Sequence, residues 1–291
     1  MPTPLALLTG WLDRQLDGPA AEWLRGRLAH LAGAHGDRDL YVAVGLVPRK
    51  LGKADLALTG DDLGAAHAAR KGWDPTGWSV DQAARLALLL TASHRGEAFF
   101  EAFHQLWRTA DVGEQISFYR GLPLLPEPAR HLWRATDGCR TNIKAVFESI
   151  AHRNPYPAEH FDEVAWNQMC LKALFVGAPL HPIQGLDARH NGPLARMMTD
   201  YAFERWAASR PVSWELWRCV GPHPDDRCLI ALERAIQQHE DSLTAGAAAL
   251  ACATSHAPAA TALLAHASND TRKAIEAGTL TWAALCARAG A

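Results

Sequence analysis

Residues 164–176 read VAWNQMCLKALFV and are apolar at every position except Asn167, Gln168 and Lys172. A helix apolar on every side belongs in a protein interior. Lysine, asparagine and glutamine are seldom fully buried, and an unpaired buried polar group costs ~1–3 kcal/mol. These three side chains therefore require partners, whether other side chains, ordered water or a ligand. The segment marks both a helical core and a place where function can reside.

The same texture extends outward from this segment. Alanine and leucine dominate, β-branched residues are sparse, and period-two alternation is nearly absent, which predicts an all-α fold. Helices are expected over 4–16, 20–33, 37–51, 79–92, 97–109, 113–120, 127–135, 139–152, 160–176, 193–208, 213–219, 226–238, 241–254, 257–266, 269–277 and 280–288. Ser79 with Gln82 has capping-box spacing, and Pro193 after Asn191 and Gly192 suits a first helical turn. The stretch 52–78 is the longest irregular one, with one short helix expected near 61–70 and a face of the helical layer to cover. Many short antiparallel helices joined by short turns predict an α-solenoid, HEAT-like in outline, or an irregular helical globule. No internal boundary is evident, so residues 1–291 are read as a single domain.

Composition narrows the function classes. The 291 residues carry 29 basic and 31 acidic side chains, a net charge of −2, with no field that would imply a nucleic-acid partner. The six cysteines lack a CxxC pair and mostly lie in apolar runs, as buried thiols of a reducing compartment do. The N-terminus lacks the basic region and the length of a signal peptide. The alanine-rich stretch near the C-terminus is interrupted at Thr254, Ser255, His256 and Pro258 and is too weakly apolar to cross a bilayer. A cytoplasmic protein that is not integral to the membrane is expected.

Around the opening segment, residues 139–187 gather the candidate ligand-binding side chains. In the expected 139–152 helix, Ile143, Val146, Phe147, Ile150 and Ala151 form a core stripe, with Lys144, Glu148 and His152 opposite as a solvated face. Arg140 falls at the margin of the stripe, where an arginine clamps a carboxylate, a phosphate or a helix end, and Asn142 lies beside it. The connection HRNPYPAEHF is stiffened by Pro155 and Pro157. His152, Asn154 and Tyr156 either line a pocket there or form a helix–helix turn with Asn154 as a cap. In the next helix Gln168 and Lys172 share a stripe, Asn167 points elsewhere, and Glu163 is placed to bond Asn167. Lys172 either completes a buried ion pair or holds an anionic or carbonyl group of a ligand.

Other chemistry is thin. Residues 223–226, HPDD, resemble the zinc-binding motif of LmbE-like N-deacetylases, but no apolar strand precedes them, Arg227 stands where that family usually has Glu, and no parallel-sheet pattern exists. The simpler expectation is a turn with Asp225 or Asp226 capping the following helix. The fourteen histidines show no helical metal-ligand pairing, and HExxH, GxSxG and phosphate-loop motifs are absent. No cofactor and no tightly bound metal are expected.

Three stretches carry a family resemblance. They are RDLYVAVGLVPRKLGKADL (38–56), CRTNIKAVFESIAHRNPYPAEHFDEVAWNQMCLKALFVGAPLHPIQGLD (139–187) and LARMMTDYAFERWAASRPV (194–212). The chain resembles the EboA family of soluble bacterial proteins, most distinctively through its NPYP turn and the FDExAWNQMxLKALFxG run. The resemblance implies an operon whose other products resemble a TatD-type hydrolase, a UbiA-type prenyltransferase, a dehydroquinate-synthase-like enzyme and a TIM-barrel protein. It also implies secondary-metabolite traffic, including export of a sunscreen precursor from cytoplasm to periplasm. It supplies no catalytic residue.

The expected function is therefore a helical binding or scaffold protein, with other Ebo operon products and a small, anionic or lipid-linked metabolite as partners. Arg140, Asn142, His152, Asn154, Tyr156, Asn167, Gln168 and Lys172 would line one cavity. An enzyme using Arg140 as anion clamp and His152 or Lys172 as acid or base is the alternative. A protein–protein adaptor anchored by some of the eleven tryptophans is a third reading.

Overall fold

Short polar side chains punctuate the chain and start its helices. In the computed structural model, which describes residues 2–33, 36–238 and 240–290, the Thr3, Asp17, Thr59, Asp111, Asp162, Asn191, Asp225, Asp241, Ser268 and Thr281 side chains each accept a backbone N–H from the first helical turn. Each such bond satisfies a donor that the helix cannot, typically stabilising it by about 1 kcal/mol. Gln82 takes its expected capping position, its Oε1 accepting the Ser79 N–H at 3.2 Å. The described residues hold 18 α-helices and no sheet, so the chain is all-α.

The chain divides into two compact units, Met1–Phe161 and Asp162–Ala291. The first contains α1 (Pro4–Gln15), α2 (Gly18–Leu31), α3 (Asp37–Leu51), α4 (Gly60–Ala69), α5 (Val80–Ala92), α6 (Glu97–Thr109), α7 (Val112–Gly121), α8 (Leu132–Gly138), α9 (Lys144–Ala151) and α10 (Tyr156–His160). Its central element is α5, which packs against α1, α2, α3 and α7. Ten of its residues are buried, including Asp81 and Arg85. Phe99, Phe103, Trp107, Phe118 and Tyr119 extend the core in edge and stacked contacts at 4.9–5.7 Å.

Residues 52–78 do cover a face. Leu56 N–H donates to the Trp78 carbonyl and Val80 N–H to the Ala54 carbonyl, a single antiparallel bridge that draws the segment back on itself. Trp73 then lies between Trp11 and Trp78, with ring centroids 5.4 and 6.2 Å away.

The second unit contains α11 (Glu163–Val176), α12 (Gly192–Ala207), α13 (Trp217–Val220), α14 (Asp226–Ile236), α15 (Ser242–Ala253), α16 (Pro258–Ala262), α17 (Asn269–Glu276) and α18 (Trp282–Ala289). Here α15 is the buried element, flanked by α13, α14, α16, α17 and α18. Its alanines permit close approach. A Cβ on Gly221 would lie 2.5 Å from the Ala251 carbonyl oxygen, which is backbone and cannot swing aside. Gly221→Ala should therefore cost about 1–3 kcal/mol through overpacking, measurable as a lowered urea midpoint at unchanged slope.

Two sequence expectations need correction. The helix of 164–176 forms, but it is not apolar-buried all round: Val164 is 70% exposed, Phe175 is 60% exposed, and Gln168 is exposed with them. The more enclosed helices are α5 and α15, with ten and eight buried residues. The expected helix from 139 begins only at Lys144, because Arg140 and Thr141 close turns onto Asp137 and Gly138 and the Thr141 hydroxyl accepts the Ile143 N–H. Local side-chain bonding of this kind competes with helix. Ile143, expected in the core, is 47% exposed as a result, whereas Val146, Phe147, Ile150 and Ala151 are buried.

All six cysteines are free, five of them buried. Among the described residues no helix is long and apolar enough to cross a membrane.

Candidate functional site

The connection after α9 builds a polar recess in the first unit. Asn154 is buried, and its Nδ2 donates to the Ser149 and Tyr119 carbonyls at 3.1 and 3.0 Å. Its Oδ1 accepts the Tyr156 N–H at 3.0 Å. One amide thus caps the end of α9, ties it to α7 and starts α10. The Tyr156 hydroxyl donates to the Pro128 carbonyl, and burial pushes its pKa above the ordinary tyrosine value. Both side chains hold the turn in place.

That turn presents His152 and Arg153 to a cavity of about 130 Å³. Asp74, Thr76 and Trp78 of the segment before α5, Arg120 of α7 and Glu148 of α9 complete its wall. Arg153 adopts φ 49°, a left-handed conformation uncommon for a side chain of this kind. Such strain costs about 1–3 kcal/mol and gathers at binding and switch sites. Its Nε lies 3.5 Å from Asp74 Oδ2, and the Thr76 N–H holds the other Asp74 oxygen at 2.9 Å.

Arg120 is more enclosed. Its Nη1 donates to the Gly77 carbonyl at 2.9 Å and to Gln82 Oε1 at 2.6 Å. Burial, then the nearby Arg153 charge, depress its pKa, and Glu148 opposes them. An arginine stays cationic under such pressure. Two guanidinium groups repelling one another at a partly dry wall form a setting that an anion relieves. Glu148 is tied to Lys144 at 3.7 Å, as expected for the outer face of α9.

The remaining predicted residues fall elsewhere. Arg140 and Asn142 lie in the exposed turn between α8 and α9 and do not line this cavity. In the second unit Asn167 is buried and forms a reciprocal amide pair with Asn191, Nδ2 to Oδ1 at 2.9 Å in each direction. The partner is Asn191 and not Glu163, which is exposed. Because Asn191 Oδ1 also accepts the Leu194 N–H at 2.8 Å, the pair locks the start of α12 onto α11. Gln168 is exposed and Lys172 half-buried on the same helix.

Sequence reasoning missed Arg120, Arg153, Asp74 and Thr76. Arg153 stands inside the quoted connection, but nothing in its neighbours signals a positive φ. The HPDD turn is structural: Asp225 Oδ1 accepts the Cys228 N–H at 2.9 Å at the start of α14, and His223 is exposed.

An all-helical chain with a small, charged, arginine-bearing recess is suited to holding a polar group of a small molecule. Comparison with known families agrees with that class: residues 5–221 match the family of metabolite traffic protein EboA, and the chain belongs to that family. No curated relative and no solved structure matches the chain. The matched region contains the whole recess and α11–α13, and ends before α14.

Proposed function

We propose that this chain is a cytoplasmic helical binding protein that hands on a small anionic or lipid-linked metabolite during biosynthesis or cytoplasm-to-periplasm traffic. Other Ebo operon products would be its partners. Supporting the reading is one observation above all, the convergence of Arg120, Arg153 and His152 on a single polar recess. Ligand pockets commonly enclose about 300–1,000 Å³, so a recess of about 130 Å³ takes a carboxylate or phosphate group and leaves the rest of the metabolite outside. Asn154 and Tyr156 position the turn, and Glu148 and Asp74 select against bare dianions while accepting hydroxyl or amine donors.

Arg153→Gln tests this directly. Arg153 is half-exposed, and its bond to Asp74 belongs to a class worth about 0–1 kcal/mol, so the variant should fold with a melting temperature within a few degrees of the parent. Hydrogen bonds to a charged group contribute about 1.5–3 kcal/mol, so affinity for a short hydroxylated monocarboxylate should fall about ten- to a hundredfold by calorimetry. The variant should also fail to restore metabolite export to a strain lacking the protein. Equal affinity in the two proteins, or full restoration, removes the recess from the function.

A further inference from the structure

The second unit brings together three ligand types that are remote in sequence. His181 lies in the turn after α11, Glu215 in the 3₁₀ turn preceding α13, and Cys286 on α18. One imidazole nitrogen, one carboxylate oxygen and the Cys286 thiol all lie within 4.8 Å of one another. We propose that His181, Glu215 and Cys286 form a three-ligand site for a borderline-soft divalent metal, zinc above all, with solvent in the fourth position.

The donor set suits that ion. Imidazole, carboxylate and thiolate are the three side-chain ligands zinc takes, and three protein ligands plus water is the open form of its tetrahedral site. Tetrahedral ligands at zinc distances stand roughly 3.5 Å apart, so the longest separations close by about 1 Å while the 3.0 Å His181–Glu215 pair opens slightly. Cys286 and His181 are both only half-buried and belong to different segments, so each can approach.

Glu215 is the fixed member. It is buried, and its two oxygens accept the Leu180 and His181 backbone N–H groups at 2.8 Å each. The His181 imidazole is its ion-pair partner, with Nδ1 3.0 Å from Oε1. A carboxylate that dry ordinarily pairs with a cation. The nearby Arg218 does not fill that role, since its guanidinium makes two bonds to Asp187, at 2.7 and 2.5 Å. A metal entering between Oε1 and the imidazole replaces a single N–H···O contact and leaves both backbone bonds intact. Binding releases the Cys286 thiol proton to solvent, because thiols ligate as thiolates.

The consequence is a clip that ties the C-terminal helix to the body of the unit. Cys286 lies beyond the residues that match the family, whereas His181 and Glu215 lie within them. The site is thus completed by this chain's own C-terminal segment. The expectation of no metal weighed only ligands close together in sequence, and this set spans more than a hundred residues.

The test uses full-length protein made without a histidine tag, stripped with chelator, then titrated with cobalt(II) and zinc(II). Cobalt should give a near-ultraviolet thiolate charge-transfer band at one equivalent, and one equivalent of zinc should raise the melting temperature and protect Cys286 from alkylation. Cys286→Ser and His181→Gln, both at half-buried positions and checked for folding by circular dichroism, should each weaken binding at least about tenfold, with the band absent from Cys286→Ser. The proposal is overturned if cobalt gives no thiolate band, or if stoichiometric zinc binding survives both substitutions.

Discussion

Asp81→Ala is expected to destabilise the N-terminal unit by about 3–5 kcal/mol, the range found when one member of a buried ion pair is removed. The Arg85 and Asp81 side chains are 2% and 5% exposed. Arg85 Nη1 donates to Asp81 Oδ2, and the Ser79 hydroxyl donates to Oδ1, each at 2.5 Å. Arg85 Nε has no hydrogen-bond partner and Ser117 stands 3.5 Å from Nη1, so little else stabilises the guanidinium. It cannot shed its proton. Removing the carboxylate therefore leaves a bare charge in the middle of α5. The double replacement Asp81→Leu with Arg85→Met should recover most of the loss, because apolar side chains of similar volume replace buried pairs at little cost. Urea midpoints of the three variants at constant slope decide the matter. A loss below about 1 kcal/mol for Asp81→Ala would mean that water reaches the pair and that α5 is not the core element.

His131, joined by His104 and His190, whose pKa values burial also lowers, should make the protein acid-sensitive above the carboxylate range. His131 is buried between Phe100 and Phe103, with ring centroids 5.6 and 5.4 Å away, and its Nε2 has no hydrogen-bond partner. Burial first, and the Arg130 charge second, push its pKa down to about 4, against a weaker pull from the Pro126 carbonyl. In the unfolded chain it titrates near 6.5. As pH falls from 6.5 to 4 the unfolded state takes up a proton that the native state refuses, so stability falls. Below about 4 both states are protonated and the loss saturates at roughly 3 kcal/mol. The carboxylates with depressed pKa values, Asp62, Glu97, Asp187 and Asp225, withdraw their support only as pH falls below the ordinary carboxylate range near 4, so the two windows separate. His131→Phe keeps the neutral packing and should flatten the decline between pH 6.5 and 4 while leaving stability at pH 7 within about 1 kcal/mol. An unchanged slope in that variant would place the acid sensitivity elsewhere.

The candidate site was partly legible in advance. The HRNPYPAEHF connection reads as a stiff turn or a pocket wall because two prolines restrict its backbone, and His152 lines a polar recess there. Arg120 was invisible: an arginine at the end of a helix reads as solvated, and only the packing of α7 beside the segment before α5 encloses it. Arg153 was hidden for a different reason, since a positive φ at a non-glycine residue is imposed by its surroundings and not by its own preference. Asn167 reads as a buried polar group needing a partner, and it is buried. That partner, Asn191, reads in sequence only as a residue before a helix start.

What the sequence by itself determined is the helices and their ends. Alanine- and leucine-rich runs, side-chain caps such as Asp162 and Asn191, and stops such as Gly177 act within a few residues, so local physics decides them. The family membership rests on sequence in the same way. Which helix becomes the core was decided by tertiary structure. The run 164–176 is as apolar as 80–92, yet α11 keeps Val164 and Phe175 in solvent while α5 is enclosed with an ion pair inside it. Apolarity permits burial on any side, but only the placement of neighbouring helices supplies surfaces to bury against. The joining of His181, Glu215 and Cys286 has the same origin, since proximity across a hundred residues is a property of packing and leaves no mark on local sequence.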